Sequence, residues 1–285
     1  MPEVVTAVAV LLKRVDLRPE VDPLTGAVTH DPHGGLSAAD ECALELALRT
    51  AEQSGSAVLA VSAGGADAEA VLRKALEAGA ARAVRVDLDP AAPSATVAAA
   101  LAEVVRGGAW VFCGDYSLDR GSGSVPAFVA GHLGAAQALG LAALALDDVI
   151  DSDAALVAER RLDGGRREVL AVRAPAVVSV ESGLAALRRP PLAAALAART
   201  ATVEVVPGPV GALPPPARTQ PFRPRPRVLE GPDPTLPARD RLVALSGALV
   251  QHEPPRLVHA TPEEAAEELL GFLVARGYLA EVPAP

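Results

Sequence analysis

Residues 110–140 read WVFCGDYSLDRGSGSVPAFVAGHLGAAQALG, and this stretch decides the fold. Trp110, Val111, Phe112 and Cys113 are consecutive apolar residues and read as a buried strand that Gly114 ends. A polar, glycine-bearing loop occupies 115–124. Val125, Phe128, Val129 and Leu133 then recur at helical spacing, which predicts a helix with one apolar face that ends near Gly140. Gly121 and Gly123 let backbone approach a ligand, and Pro126 sits in the first turn, where its missing N–H costs nothing. Strand, glycine loop and helix start in that order can bind an anion, because the first helical N–H groups point at it. The loop is neither G-x-x-x-x-G-K-[ST] nor G-x-G-x-x-G, and a βα turn without a ligand also satisfies these residues.

Upstream, strand and helix signals alternate. Residues 4–12 form a near-continuous aliphatic run, as expected of a strand covered on both faces, with Lys13 and Arg14 at its end. Turn chemistry at 22–26 and 31–35 predicts a small hairpin. Ser37 is a helix N-cap with Asp40 three residues on, in a capping-box pattern, and Ala43, Leu44, Ala47, Leu48 and Ala51 form the buried stripe of a helix over 38–53. A strand at 57–61 leads into a 62–65 loop, Asp67 is read as the next helix cap, and Val71, Leu72, Ala75 and Leu76 face inward before Gly79. Strands at 82–86 and 141–146 and a helix at 94–106 complete a doubly wound, mostly parallel sheet between helical layers. The loops after Leu12, Val61 and Cys113 then converge at one rim, where open α/β sheets bind ligands.

Downstream, two strands flank Asp163-Gly164-Gly165, a hairpin turn, and 176–181 is another apolar strand. Residues 188–192 read as an exposed segment with an apolar tip at Leu192, followed by an Ala-rich helix to 199 and a strand at 202–206. Eleven prolines between 207 and 237 make that stretch extended, and it carries Arg218, Arg223, Arg225 and Arg227. Residues 241–250 and 262–277 are predicted helices, the second opened by Thr261-Pro262-Glu263-Glu264 with Ala265, Leu269, Leu270 and Leu273 inward. The expected domains are 1–206 for nucleotide binding, 207–240 as an arm, and 241–285 as a helical segment.

Composition narrows the function. The net charge is −9, which disfavours nucleic acid, and only one Trp, two Tyr and four Phe are present to stack on bases. No apolar run reaches membrane-spanning length, and residues 1–14 lack the basic start of a signal peptide, so direct membrane insertion is not expected. Two distant cysteines, Cys42 and Cys113, fit a reduced, cytoplasmic protein. No G-x-S-x-G elbow occurs. His30 and His33 read as solvated loop residues, His132 as a surface residue, and adjacent Asp147 and Asp148 as a poor Mg²⁺ pair whose side chains diverge. A nucleotide site without an evident catalytic set results, and a stand-alone adenine-nucleotide sensor of universal stress protein type has a similar crevice.

The chain resembles the beta (small) subunit of electron-transfer flavoproteins. The family's V-K-x-V-x-D is near Leu12-Lys13-Arg14-Val15-Asp16, its D-P-x-T-G is Asp22-Pro23-Leu24-Thr25-Gly26, and its N-P-x-x-x-x-A-x-E-x-A-L-x-L corresponds to SAADECALELAL from Ser37. The family's V-x-S-x-G-P appears as Val61-Ser62-Ala63-Gly64 with Gly65 in place of Pro, its L-R-x-A-L-x-x-G-A-D-x-A corresponds to LRKALEAGAARA from Leu72 to Ala83, and D-G-G, P-A-V-V and P-x-L follow in order at Asp163–Gly165, Pro175–Val178 and Pro190–Leu192. The resemblance implies an adenine nucleotide alpha-hydrolase-like fold and a heterodimer with an alpha subunit that carries most contacts to FAD. It also implies AMP, or a second FAD, in the crevice of this chain. The implied nucleotide shell is Leu11, Ser37, Ala38, Ala39, Asp40, Ala63, Tyr116, Ser117, Leu118, Asp119, Arg120, Gly121, Ser122, Gly123, Ser124, Val125, Pro126 and Ala127. Leu192 matches the leucine that docks into partner dehydrogenases. Composition is similar to the subgroup accompanying mycofactocin, which implies a flavin-linked or mycofactocin-linked donor. The family's Asn-Pro is Ser37-Ala38 here, its Q-x-G is Ser124-Val125-Pro126, and flavin-side aromatics of some members are Leu17 and Ala39.

Overall fold

A computed structural model describes residues 8–22, 24–25, 27–29, 34–145, 155–209, 231–246 and 257–279. The readings at His30, His33, Asp147, Asp148 and the 218–227 arginines lie outside them. The chain divides into two units, residues 1–223 and 224–285.

In the first unit, β1 (Val8–Leu11) is wholly buried. The short strands β2 (Glu20–Val21) and β3 (Val28–Thr29) form the expected hairpin. Next come α1 (Ala38–Ser54), β4 (Val58–Gly64), α2 (Glu69–Ala78), β5 (Arg82–Asp87), α3 (Ser94–Val105) and β6 (Trp110–Gly114). They are followed by α4 (Ser124–Leu133), β7 (Ala136–Ala145), β8 (Ala155–Arg161), β9 (Arg167–Arg173), β10 (Ala176–Val180), α5 (Leu192–Thr200) and β11 (Glu204–Pro207). Nine strands make one sheet in the order β11-β5-β4-β1-β6-β10-β7-β8-β9. It is parallel from β11 to β7, and only β8 and β9 run antiparallel. This is the mostly parallel three-layer α/β fold that the alternation predicts.

Alternate side chains of the central strands feed two cores. Val8, Val10, Val58, Ala60 and Phe112 pack on one face with the α1 and α2 stripes, including Leu44 and Leu72. Ala9, Leu11, Val61, Val111 and Cys113 pack on the other with Leu101 of α3 and Val129 of α4. A leucine fully buried this way contributes about 1.5–3 kcal/mol. From β1 the chain winds out through β4 and β5, then returns through α3 to β6 on the far side of β1. That reversal places the topological switch point above the ends of β1 and β6.

Several boundaries differ from the sequence reading. α4 ends at Leu133, because Gly134 takes a left-handed conformation (φ 62°) and its N–H returns to the Ala130 and Gly131 carbonyls. The following Ala/Gly-rich residues then enter β7 against β10 and β8. Phe128 is exposed, so it does not belong to the buried face of α4. Residues 62–64 belong to β4, since Ser62, Ala63 and Gly64 pair with Arg85, Val86 and Asp87. Asp67 caps no helix: a 3₁₀ turn capped by Gly65 precedes α2, and Asp67 instead pairs with Arg14 at 3.2 Å.

The second unit contains α6 (Ala238–Ser246) and α7 (Pro262–Ala275). Thr261 and Glu264 form the full capping box expected at the start of α7. The described residues of this unit do not cover the expected inward face: Ala265, Leu269 and Leu270 are exposed and Leu273 is half-buried.

Candidate functional site

A cleft of about 320 Å³ opens at the switch point, above the C-terminal ends of β1, β4, β5 and β6. Leu11, Ala63, Val97, Leu101, Cys113 and Val125 give it an apolar floor. Ser94 opens α3 and Ser124 opens α4, and both line the cleft. Neither helix start carries a side-chain cap, unlike α1, where the Ser37 hydroxyl accepts the Asp40 N–H at 3.1 Å. Uncapped helix starts keep donors and a positive dipole end for an anion. Gly123, the residue before α4, has φ 59°, and a Cβ there would lie 3.0 Å from the Asp115 carbonyl oxygen, so glycine suits the turn.

A buried carboxylate fixes this rim. Asp40 accepts the backbone N–H of Lys13 at 3.3 Å and that of Gly114 at 3.2 Å, and so buckles the ends of β1 and β6 to α1. A Cβ at Gly114 would lie 2.7 Å from Asp40 Oδ1, so this approach requires a glycine. Burial pushes the Asp40 carboxyl up to about 6, against the pull of the two N–H donors. Asp40 was expected to close a capping box, but its oxygens go to the strand ends instead.

Lys13 then reaches across the cleft. Its Nζ donates to Ser117 Oγ at 3.3 Å and to both Asp119 oxygens at 2.6 Å. Burial raises the Asp119 carboxyl, but Lys13 and Ser117 outweigh it and hold the group below its ordinary range. Arg120 donates to the Ala92 and Pro90 carbonyls at 2.6 and 3.3 Å, which ties the glycine loop to the segment before α3. Lys13, Arg14 and Arg120 face five aspartates in the lining, Asp16, Asp67, Asp89, Asp115 and Asp119. A phosphate here would depend on backbone N–H groups and helix starts, not on a surplus of basic side chains.

Of the residues singled out from sequence, Leu11, Ala63, Tyr116, Ser117, Asp119, Arg120, Ser122, Gly123, Ser124, Val125 and Pro126 line the cleft. Ser37, Ala38, Ala39 and Leu118 line a second depression of about 300 Å³, which shares Asp115 and Tyr116 with the first. Asp40, Gly121 and Ala127 line neither. Sequence reading missed Leu88, Asp89, Pro90 and Ser94. They follow β5, whose end is a fourth strand-end loop at the same rim, and Asp89-Pro90 after an aliphatic strand was the available signal.

Both cysteines are buried free thiols, with Cys113 pushed far above its usual range by burial. Among the described residues no helix is long and apolar enough to cross a membrane, and no group of three or more His, Cys, Asp or Glu is arranged to hold a metal.

The fold and the cleft define a mostly parallel α/β protein with an apolar-floored cleft of about 320 Å³ at its switch point. Residues 25–210, well over half of the chain, match the electron transfer flavoprotein domain, and the chain belongs to that family. The match is consistent with the small-subunit branch, and members of the family generally bind FAD and AMP. No curated protein matches the chain.

Proposed function

We propose that this chain is the beta subunit of a heterodimeric electron-transfer flavoprotein, and that its cleft holds a structural adenylate. The observation that carries the reading is the cleft itself, which joins an apolar floor to two uncapped helix starts within a matched family domain. These features suit a flat apolar base at Leu11, Ala63 and Leu101 and a phosphate near Ser124 and Gly123. A volume of about 320 Å³ lies at the lower end for small-molecule sites, which favours AMP over a second FAD.

FAD, bound mainly by an alpha subunit, would take electrons from a flavin-linked or mycofactocin-linked dehydrogenase and deliver them to a downstream acceptor. Electron transfer of this kind needs no acid, base or nucleophile from this chain, whose residues bind, position and exclude water. Residues 1–206 would form the nucleotide domain, 207–240 an arm, and 241–285 a segment packed on the alpha subunit. The exposed Leu269, Leu270 and Phe272 of α7 support that packing. Leu192, 74% exposed at the start of α5, would dock the dehydrogenase. Buried free thiols fit a cytoplasmic setting. A stand-alone nucleotide sensor is not favoured by the family match.

Co-expression tests the reading. Together with the family's alpha subunit from the same organism, the chain should give a stable yellow complex. A colourless monomer that ignores the alpha subunit and binds ATP would refute it.

A further inference from the structure

The loop from β6 to α4, residues 115–123, contains no strand or helix, yet it is fastened on both sides of the cleft. At its base, Asp40 accepts the Gly114 N–H, and the same carboxylate accepts the Lys13 N–H at the end of β1. The base of the loop and the backbone of Lys13 therefore stand on one frame. From that frame the Lys13 ammonium donates to Ser117 and Asp119. Arg120 reaches the other way, to the Pro90 and Ala92 carbonyls on the segment that carries the chain from β5 to α3. In the sheet β5 stands three strands from β6, about 14 Å at ordinary strand spacing. The loop thus bridges the cleft and contributes Tyr116, Ser117, Asp119 and Arg120 to its lining.

Polar ties, not packing, keep the loop in place. Its two large apolar side chains, Tyr116 and Leu118, are both more than half exposed. The Lys13 and Asp119 side chains are themselves 38% and 45% exposed. A segment that buries little apolar surface opens at low cost. Where the loop rejoins α4, Gly121 and Gly123 have φ 61° and 59°, and a few loop residues of this kind absorb the rotation of a hinge.

We propose that residues 115–123 are a strap over the adenylate, closed by the Lys13 tie on one side and the Arg120 tie on the other, and that the nucleotide enters and leaves only when both ties release. The proposal rests on the adenylate reading of the cleft and adds the route of exchange and the residues that control it. In the closed strap Lys13 and Arg120 are engaged by protein acceptors, so they hold the gate while helix starts and backbone N–H groups receive the phosphate. A strap that must lift for entry and for release sets both rates. A side chain that only touches the ligand acts mainly on release.

The test uses the co-expressed heterodimer and tritiated AMP. Uptake by the nucleotide-depleted complex and release into excess unlabelled AMP are timed separately. Asp119→Asn, which removes a half-exposed ion pair, should speed both about fourfold. Arg120→Met, which removes two hydrogen bonds from a charged donor, should speed both about tenfold. The double variant should be faster than either in both directions. Faster release with unchanged uptake would make these side chains ligand contacts and overturn the strap, as would unchanged rates in both directions. A second readout needs no ligand. In the complex without added nucleotide, trypsin should cut after Arg120 several-fold faster in Asp119→Asn than in wild type, as read by mass spectrometry. If the complex takes up no AMP but this cleavage still quickens, the adenylate reading fails and the strap stands. If cleavage after Arg120 is equally fast in both, the strap fails whatever AMP does.

Discussion

Asp40 offers the sharpest perturbation. It is 7% exposed and joins α1 to the ends of β1 and β6. Its carboxyl rises from 3.8 to about 6, chiefly through burial. The folded state therefore holds the Asp40 proton more tightly than the unfolded chain. Stability from this group is present below pH 4 and is lost as pH rises through about 6. At 1.36 kcal/mol per pH unit, the change amounts to about 3 kcal/mol. Other carboxylates pull the opposite way, so the quantity to measure is the difference between wild type and Asp40→Asn. Urea unfolding followed by the single tryptophan, the buried Trp110, reports on this unit. Wild type should lose about 3 kcal/mol relative to Asp40→Asn between pH 3.5 and 6.5. Parallel stability curves across that range would refute the argument, because the carboxylate would then not be desolvated in the folded protein.

Further outcomes follow from neighbouring contacts. Gly114→Ala places a Cβ 2.7 Å from Asp40 Oδ1 and should destabilise by about 1–3 kcal/mol in the same unfolding assay. Lys13→Met frees Asp119 from its cation and should weaken nucleotide retention, seen by equilibrium dialysis, while a partly exposed pair of this kind costs less than about 1 kcal/mol of stability. Glu45→Gln should destabilise by about 1–3 kcal/mol, since a buried carboxylate loses charge-assisted bonds from Arg188 and Arg49. Burial raises the Glu45 carboxyl, but those arginines outweigh it and lower it overall, so its contribution holds above the unfolded carboxyl range and fades in acid. Comparing thermal melts of wild type and Glu45→Gln at pH 7 and pH 3 should show the gap closing.

Much of the fold was legible because β1 and β4 are aliphatic runs, β6 opens on four consecutive apolar residues, and amphipathic stripes separate them. Ser37 and Thr261 announce their helices because each hydroxyl accepts the N–H three residues on. The strand expected at 141–146 is present but begins already at Ala136; its first residues, 136–140, were not legible, since alanine and glycine carry no period and only pairing with β10 makes them strand. The extension of β4 to Gly64 likewise depends on β5 alongside it. In the site, the glycine loop and the ends of β1 and β6 were readable as strand-end turns. The end of β5 was overlooked, and local spacing could not show that Asp40 turns from its own helix cap to Lys13 and Gly114. Leu269 and Leu270 fit an inward face by period alone, but period does not say whether the covering surface is in the same chain.

The central claim is that the switch-point cleft carries an adenylate while flavin is shared with another subunit. Chromatography of a heat extract from the purified, co-expressed complex measures this directly. One AMP and one FAD per heterodimer are expected, with AMP but not FAD reduced by Gly123→Val, which crowds the turn before α4. An extract with FAD alone, or AMP unchanged in that variant, would contradict the account.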